Sequence, residues 1–108
     1  PRRRAATADP RVEQIRAMAL MIELRRLFDD DVVSGCRLVE CVLKDEDTAT
    51  LELMAASVAL RTAPEPHAVA DSLRVMIVTA LGARLRAESM PLATRNVILT
   101  ELDPSFRP

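Results

Sequence analysis

The most regular hydrophobic pattern of the chain follows a dipeptide that starts helices. Asp9 and Pro10 match an N-cap followed by proline at the first helical position. Beyond them, apolar residues recur at steps of three and four with arginine and glutamate between them, which predicts an amphipathic helix. These apolar residues are Val12, Ile15, Ala19, Leu20, Ile22, Leu24, Leu27 and Phe28. The acidic run 29–31 and the Ser34-Gly35 pair predict that the helix ends near residue 29, since carboxylates oppose the dipole at a helix C-terminus.

Residues 36–60 fit two interpretations. As strands, residues 37–43 and 49–53 form a hairpin around the acidic, turn-rich segment 44–48. As a helix, the second half presents one apolar face, which consists of Leu51, Met54, Ala55 and Val58. We favour the hairpin, because the valines and threonines of this region are typical of a pleated surface.

A second long helix is predicted after the proline-rich segment 63–66. Its apolar positions keep helical spacing from Val69 to Leu85, and its middle is apolar on almost every side. This pattern indicates burial on more than one side, by a sheet and either another element or a second subunit. The candidate interface residues are Val75, Ile77, Val78, Leu81 and Leu85. Pro91 ends the helix, and residues 96–102 are predicted to form a final strand.

The predicted fold is therefore a small α+β domain with the order α-β-β-α-β, in which two helices pack on a three-stranded sheet. The alternative is an all-α bundle of four to five helices. Residues 10–103 are predicted to form a single globular domain, between a disordered basic tail at 1–9 and a short tail at 104–108. Because the chain begins with Pro1 and ends with Pro108, we expect it to be a domain excised from a larger protein.

Composition narrows the functional classes. The 108 residues include no Trp, no Tyr, two Phe, one His and two Gly. Aromatic stacking platforms, imidazole-based catalysis and glycine-rich phosphate loops all need residues that are scarce or missing here. We expect a non-catalytic protein–protein interaction or oligomerisation domain, which binds itself or another protein, rather than an enzyme.

Charge is unevenly distributed along the sequence. The net charge is −1, but residues 1–28 carry +4 and residues 29–52 carry −6. This segregation suits charge pairing between copies of the chain. The arginines could also contact phosphate, which gives the alternative function of a nucleic-acid-binding module. The candidate contacts are Arg2, Arg3, Arg4, Arg11, Arg25 and Arg26.

Metal and cofactor sites are not predicted. His67, Cys36 and Cys41 do not have the spacing of zinc ligands, and the acidic runs 29–31 and 45–47 lack the donor spacing of a calcium loop. Two isolated cysteines favour the cytoplasm or another reducing compartment. No segment has the length of apolar sequence that a membrane span requires, so we expect no membrane insertion by this segment.

The predicted element order, together with Arg11-Val12 at the start of the first helix and Asp47 before the second strand, resembles ribosome-binding factor A. That resemblance implies a KH-type fold that contacts ribosomal RNA, and Gly82 corresponds to the kink glycine of its second helix. The same order resembles the cytoplasmic domain of cation-diffusion transporters and the ring-building modules of secretion machines, which use the fold to associate. No functional residue is transferred from these families.

Overall fold

A computed structural model describes residues 9–63 and 67–107, and these residues form helices joined by short connections. The described helices are α1 (Pro10–Asp30), α2 (Val32–Lys44), α3 (Thr50–Arg61), α4 (Ala68–Ala87) and α5 (Leu92–Leu102). The described part of the chain contains no strand, so the predicted α+β fold with a three-stranded sheet is wrong. The all-helical alternative is the observed architecture. The resemblance to KH-type and ring-building domains depended on the predicted order of helices and strands. Because the described residues form no strand, the structure does not support that resemblance.

Helix α1 begins at Pro10, as predicted, and ends one residue later than expected. The Asp9 carboxylate accepts a hydrogen bond from the backbone N–H of Arg11 at 2.9 Å, so Asp9 is the N-cap. At the other end Asp31 serves two helices: its N–H donates to the carbonyl of Leu27 at 2.6 Å, and its carboxylate accepts from the N–H of Val33 at 3.1 Å. One acidic residue therefore ends α1 and starts α2.

The first predicted strand, residues 37–43, lies within α2. The reason is a face of buried residues at steps of one, three and three: Gly35, Cys36, Val39 and Val42. Burial of this face against α1, α3 and α4 outweighs the strand preference of the valines. The Ser34-Gly35 pair does not form the predicted break between elements, because Gly35 lies in the first turn of α2. Since glycine has no side chain, the ring of Phe28 can pack against it. A Cβ atom at Gly35 would lie 2.6 Å from two carbon atoms of that ring.

In the second predicted strand, residues 49–53, Ala49 is the N-cap of α3 and residues 50–53 are its first residues. The threonines that favoured a strand lie instead in the connection before α3 and at its first position, where their hydroxyls form hydrogen bonds. Thr48 donates from its hydroxyl to the carbonyl of Val42 at 2.7 Å, and the hydroxyl of Thr50 donates to Glu88 at 3.1 Å. The predicted final strand, residues 96–102, belongs to α5, whose buried residues are Ile98 and Glu101.

Helix α3 lies at the centre of the fold and contacts each of the other four helices. Many of its buried residues are small, which lets neighbouring helices approach closely: Ala55, Ala56, Ser57 and Ala59. The core around it is mostly aliphatic, with Phe28 and Cys36 as other members, and its fully buried large side chains include Leu24, Val39, Ile77, Leu81 and Ile98. The partly exposed apolar residues Leu51, Met54 and Val58 of α3 lie beside α1.

Candidate functional site

An apolar groove runs between α1 and α3 at the surface of the protein. Its volume is about 470 Å³. The residues that line it are Gln14, Ala17, Met18, Met21 and Ile22 of α1 and Leu51, Met54, Ala55 and Val58 of α3. Apart from Gln14 these side chains are apolar, so the groove offers dispersion contacts and little hydrogen bonding.

Helix α1 has a second apolar face that points away from the core. Ile15, Met18 and Ile22 follow the helical repeat, and their exposed fractions are 65%, 64% and 67%. We call these three residues the outer stripe of α1. Because successive residues turn by about 100° around a helix, the outer stripe is centred about 130° around α1 from the buried Leu24 and Phe28.

The outer stripe and the groove form one continuous surface, because Met18 and Ile22 belong to both. We call the outer stripe together with the groove the α1–α3 surface. Its geometry is that of a ridge beside a depression, both apolar. Contiguous apolar patches of this kind on soluble domains mark sites of association or ligand binding.

Three arginines of α1 form ion pairs, and two of these arginines belong to the predicted basic patch. Arg11 pairs with Asp9 at 3.4 Å, and Arg26 pairs with Glu23 at 2.6 Å. Arg16 reaches across to α3 and pairs with Glu52 at 3.3 Å. The candidate phosphate contacts Arg11 and Arg26 therefore already have acidic neighbours.

The remaining candidate phosphate contacts lie in two places. Arg25 is exposed and lines a small pocket together with Asp29. Arg2, Arg3 and Arg4 belong to the predicted basic tail and lie outside the described residues. Since Arg25 also has an acidic residue beside it, the described arginines do not form an uninterrupted positive surface.

The candidate interface on α4 is not one surface. Ile77 and Leu81 have exposed fractions of 0% and belong to the core, whereas Val78 and Leu85 are half-buried. Val75 is the well-exposed member of the set, with an exposed fraction of 66%. The sequence pattern indicated burial on several sides, and neighbouring helices of the same chain supply that burial because α4 contacts α2, α3 and α5.

The sequence did carry a signal for the outer stripe. The apolar residues of α1 fall into two sets at helical spacing, one with Ile15 and Ile22 and the other with Leu24 and Phe28. Placed at about 100° per residue, the two sets lie on opposite sides of the helix. Treating them as a single amphipathic face concealed the second surface.

A buried polar cluster joins α3, α4 and α5. Glu101 is its centre: its carboxylate accepts hydrogen bonds from the hydroxyl of Ser57 at 3.0 Å and from two nitrogens of Arg61 at 3.1 Å. Arg74 of α4 lies 3.6 Å away, so two guanidinium groups face this one carboxylate. Because the carboxylate is held by these donors, we interpret the cluster as the connection that fixes α5.

The remaining reactive side chains act locally. His67 caps α4, since its Nδ1 accepts a hydrogen bond from the N–H of Val69 at 3.2 Å. Burial raises the pKa of the Cys36 thiol, and the nearby carboxylates of Glu40 and Asp31 raise it further, whereas Cys41 is exposed. Within residues 9–63 and 67–107, no group of three His, Cys, Asp or Glu side chains is placed to hold a metal ion.

The chain matches no protein-family model, no curated protein and no solved structure. Among the described helices, none combines the length and the hydropathy needed to cross a membrane. The geometry of the α1–α3 surface is therefore the feature that indicates a function.

Proposed function

We propose that this chain is a non-catalytic self-association domain, and that its α1–α3 surface binds a second copy of the chain. The observation that carries the proposal is the outer stripe of α1, whose three side chains are each about two-thirds exposed. Burying such side chains is favourable by roughly 1.5–3 kcal/mol for each one that becomes fully covered. In a dimer each copy covers the outer stripe of the other, so both stripes contribute this free energy.

The shape of the surface supports a second copy as the partner. In a dimer with two-fold symmetry, the same patch of each subunit contacts the other, so the patch must be complementary to itself. The α1–α3 surface meets this requirement, because a ridge formed by Ile15, Met18 and Ile22 lies beside an apolar groove. Since Met18 and Ile22 line the groove as well as the ridge, the ridge of each copy can pack on the ridge of the other and border its groove.

Light scattering coupled to size exclusion tests the proposal. We expect a dimer at micromolar concentrations at both low and high salt, since aliphatic contacts depend little on ionic strength. Ile22→Asp should convert the dimer to a monomer. Val75→Asp is the matched control, because Val75 is equally exposed at 66% but lies on α4, and this variant should remain dimeric.

Two results would contradict the proposal. A wild-type monomer throughout the concentration series would remove self-association as the function. A dimer that is lost with Val75→Asp and kept with Ile22→Asp would place the interface on α4 instead. Circular dichroism of both variants should be unchanged, because each substitution is at a solvent-exposed position of a helix.

A further inference from the structure

We infer that two copies of the chain pair through their α1 helices in antiparallel orientation, with Arg11 of each copy beside Asp29 of the other. This inference rests on the proposed self-association and adds the orientation of the partner. It starts from the charges at the two ends of the outer stripe. Arg11 lies one helical turn before Ile15, and Asp29 lies two turns after Ile22.

These residues extend the outer stripe into a heptad repeat. With the first position of the repeat written a and the fourth d, Ile15, Ile22 and Asp29 occupy a. The d positions on the same face are Arg11, Met18 and Arg25. Each of the charged members is exposed, so all six side chains are accessible to a partner helix.

An antiparallel pair brings each a position beside a d position of the other copy. In the register centred on residue 20, Ile22 meets Met18 of the second copy and Asp29 meets Arg11. Ile15 meets Arg25, whose aliphatic stem can cover it while the guanidinium stays in water. Two-fold symmetry repeats every contact, which gives two apolar layers in the middle and an ion pair at each end.

A parallel pair brings equal positions together and produces the opposite result. Arg11 would face Arg11, Arg25 would face Arg25, and Asp29 would face Asp29. Like charges in contact disfavour this orientation, whereas the antiparallel pair matches Arg11 with Asp29. The charges of the heptad therefore select the direction of the partner, and the apolar layers supply the affinity.

The ion pairs that exist within one copy leave Arg11 able to make the contact. Its bond to Asp9 is 3.4 Å long, and 85% of its side chain is exposed. Such solvated pairs are weak and rearrange readily. Because Asp29 is also exposed, neither group has to leave a buried environment when the copies associate.

A charge swap on the full chain tests the pairing of Arg11 with Asp29. Arg11→Asp alone should weaken dimerisation by about tenfold, because two attractive pairs become repulsive. Asp29→Arg alone should have a similar effect, and the double variant should recover the dissociation constant to within about threefold. Each substitution also improves the match with the dipole of α1, so a loss of dimer is not a loss of fold.

Disulfide trapping distinguishes antiparallel from parallel pairing of the two α1 helices. The background carries Cys41→Ser, since Cys41 is exposed, whereas Cys36 is buried. Met18→Cys and Ile22→Cys proteins are mixed and oxidised. The antiparallel pair should trap the mixed dimer, in which the cysteine introduced at position 18 of one copy is bonded to the cysteine introduced at position 22 of the other. A parallel pair would trap dimers of like protein.

The outcomes separate the two proposals. A wild-type monomer in light scattering would overturn both. A dimer that Ile22→Asp disrupts, but in which the double swap gives no recovery and like proteins cross-link, would leave self-association intact and overturn the antiparallel arrangement.

Discussion

Helices α1 and α4 each carry an apolar stripe at helical spacing, and the two stripes differ in what covers them. On α4, Leu73, Ile77 and Leu81 are at most 5% exposed, because the helix packs against α2, α3 and α5. On α1, the outer stripe is 64–67% exposed. The periodicity of a sequence therefore identifies an apolar face but does not say whether the same chain covers it.

The difference follows from the positions of the two helices. Helix α1 already uses Leu24 and Phe28 on its inner face to close the core. A helix at the edge of a small bundle has neighbours on one side, so a second apolar face on that helix remains exposed. The comparison explains why the candidate interface on α4 contains core residues and why the exposed stripe lies on α1.

The largest expected effect is on the free energy of unfolding, which a substitution in the covered stripe of α4 should lower far more than one in the outer stripe of α1. Leu81→Ala should lower the free energy of unfolding by about 3 kcal/mol, because it leaves a cavity in the core. Ile22→Ala should change the free energy of unfolding of the monomer by less than about 0.5 kcal/mol, since the side chain is exposed. Urea denaturation at a protein concentration where light scattering shows the monomer measures both values.

Equal losses of stability for Leu81→Ala and Ile22→Ala would break the comparison. They would mean that the outer stripe of α1 is covered within one copy of the chain. The association proposal would then lose its main support, because the apolar side chains would already be satisfied.

A second experiment examines how the α4 stripe is kept covered. Glu101→Gln removes the charge to which Arg61 and Arg74 are paired and should lower the free energy of unfolding by about 1–2 kcal/mol. The effect is smaller than that of a core cavity, because both arginines are partly exposed and can turn to water. Urea denaturation measures it.

Glu40→Gln is the control for this substitution, since Glu40 is an exposed glutamate on α2. A loss for Glu101→Gln no greater than for Glu40→Gln would show that the buried carboxylate does not hold α5. Amide hydrogen exchange in residues 92–102 should rise with Glu101→Gln alone, because α5 would open more often.

The same substitution at two glycines should have effects of opposite sign. Gly35→Ala should destabilise the fold by about 1–2 kcal/mol, because the new Cβ would lie 2.6 Å from the ring of Phe28, on the inner face of α1. Gly82→Ala should stabilise it by about 0.5–1 kcal/mol, since the nearest atom is the mobile end of Arg86 at 3.6 Å. Thermal unfolding should show shifts of opposite sign.

A stabilising Gly35→Ala would indicate that α1 can move away from α2 without cost. The inner face of α1 would then not fix the direction of the outer stripe. A destabilising Gly82→Ala would indicate that α4 is packed more closely at this position than the structure shows.

Some elements followed from local sequence chemistry alone. The start of α1 was predictable because Asp9 and Pro10 set the N-cap and the first helical residue, and α4 was predictable from its long apolar repeat. The segments 37–43, 49–53 and 96–102 were predicted as strands and are helical. Short segments rich in valine and threonine satisfy both patterns, and the burial of one face against α1, α3 and α4 decides between them for α2.

The sequence by itself determined the start of α1, the two apolar faces of that helix, and the shortage of aromatic, histidine and glycine side chains that argues against several kinds of chemistry. The tertiary structure alone decided which faces are covered. Ile77 and Leu81 became core and the outer stripe stayed exposed, because burial depends on which helices are neighbours in space. Helical spacing is a local property, whereas the cover of a face comes from residues distant in the chain.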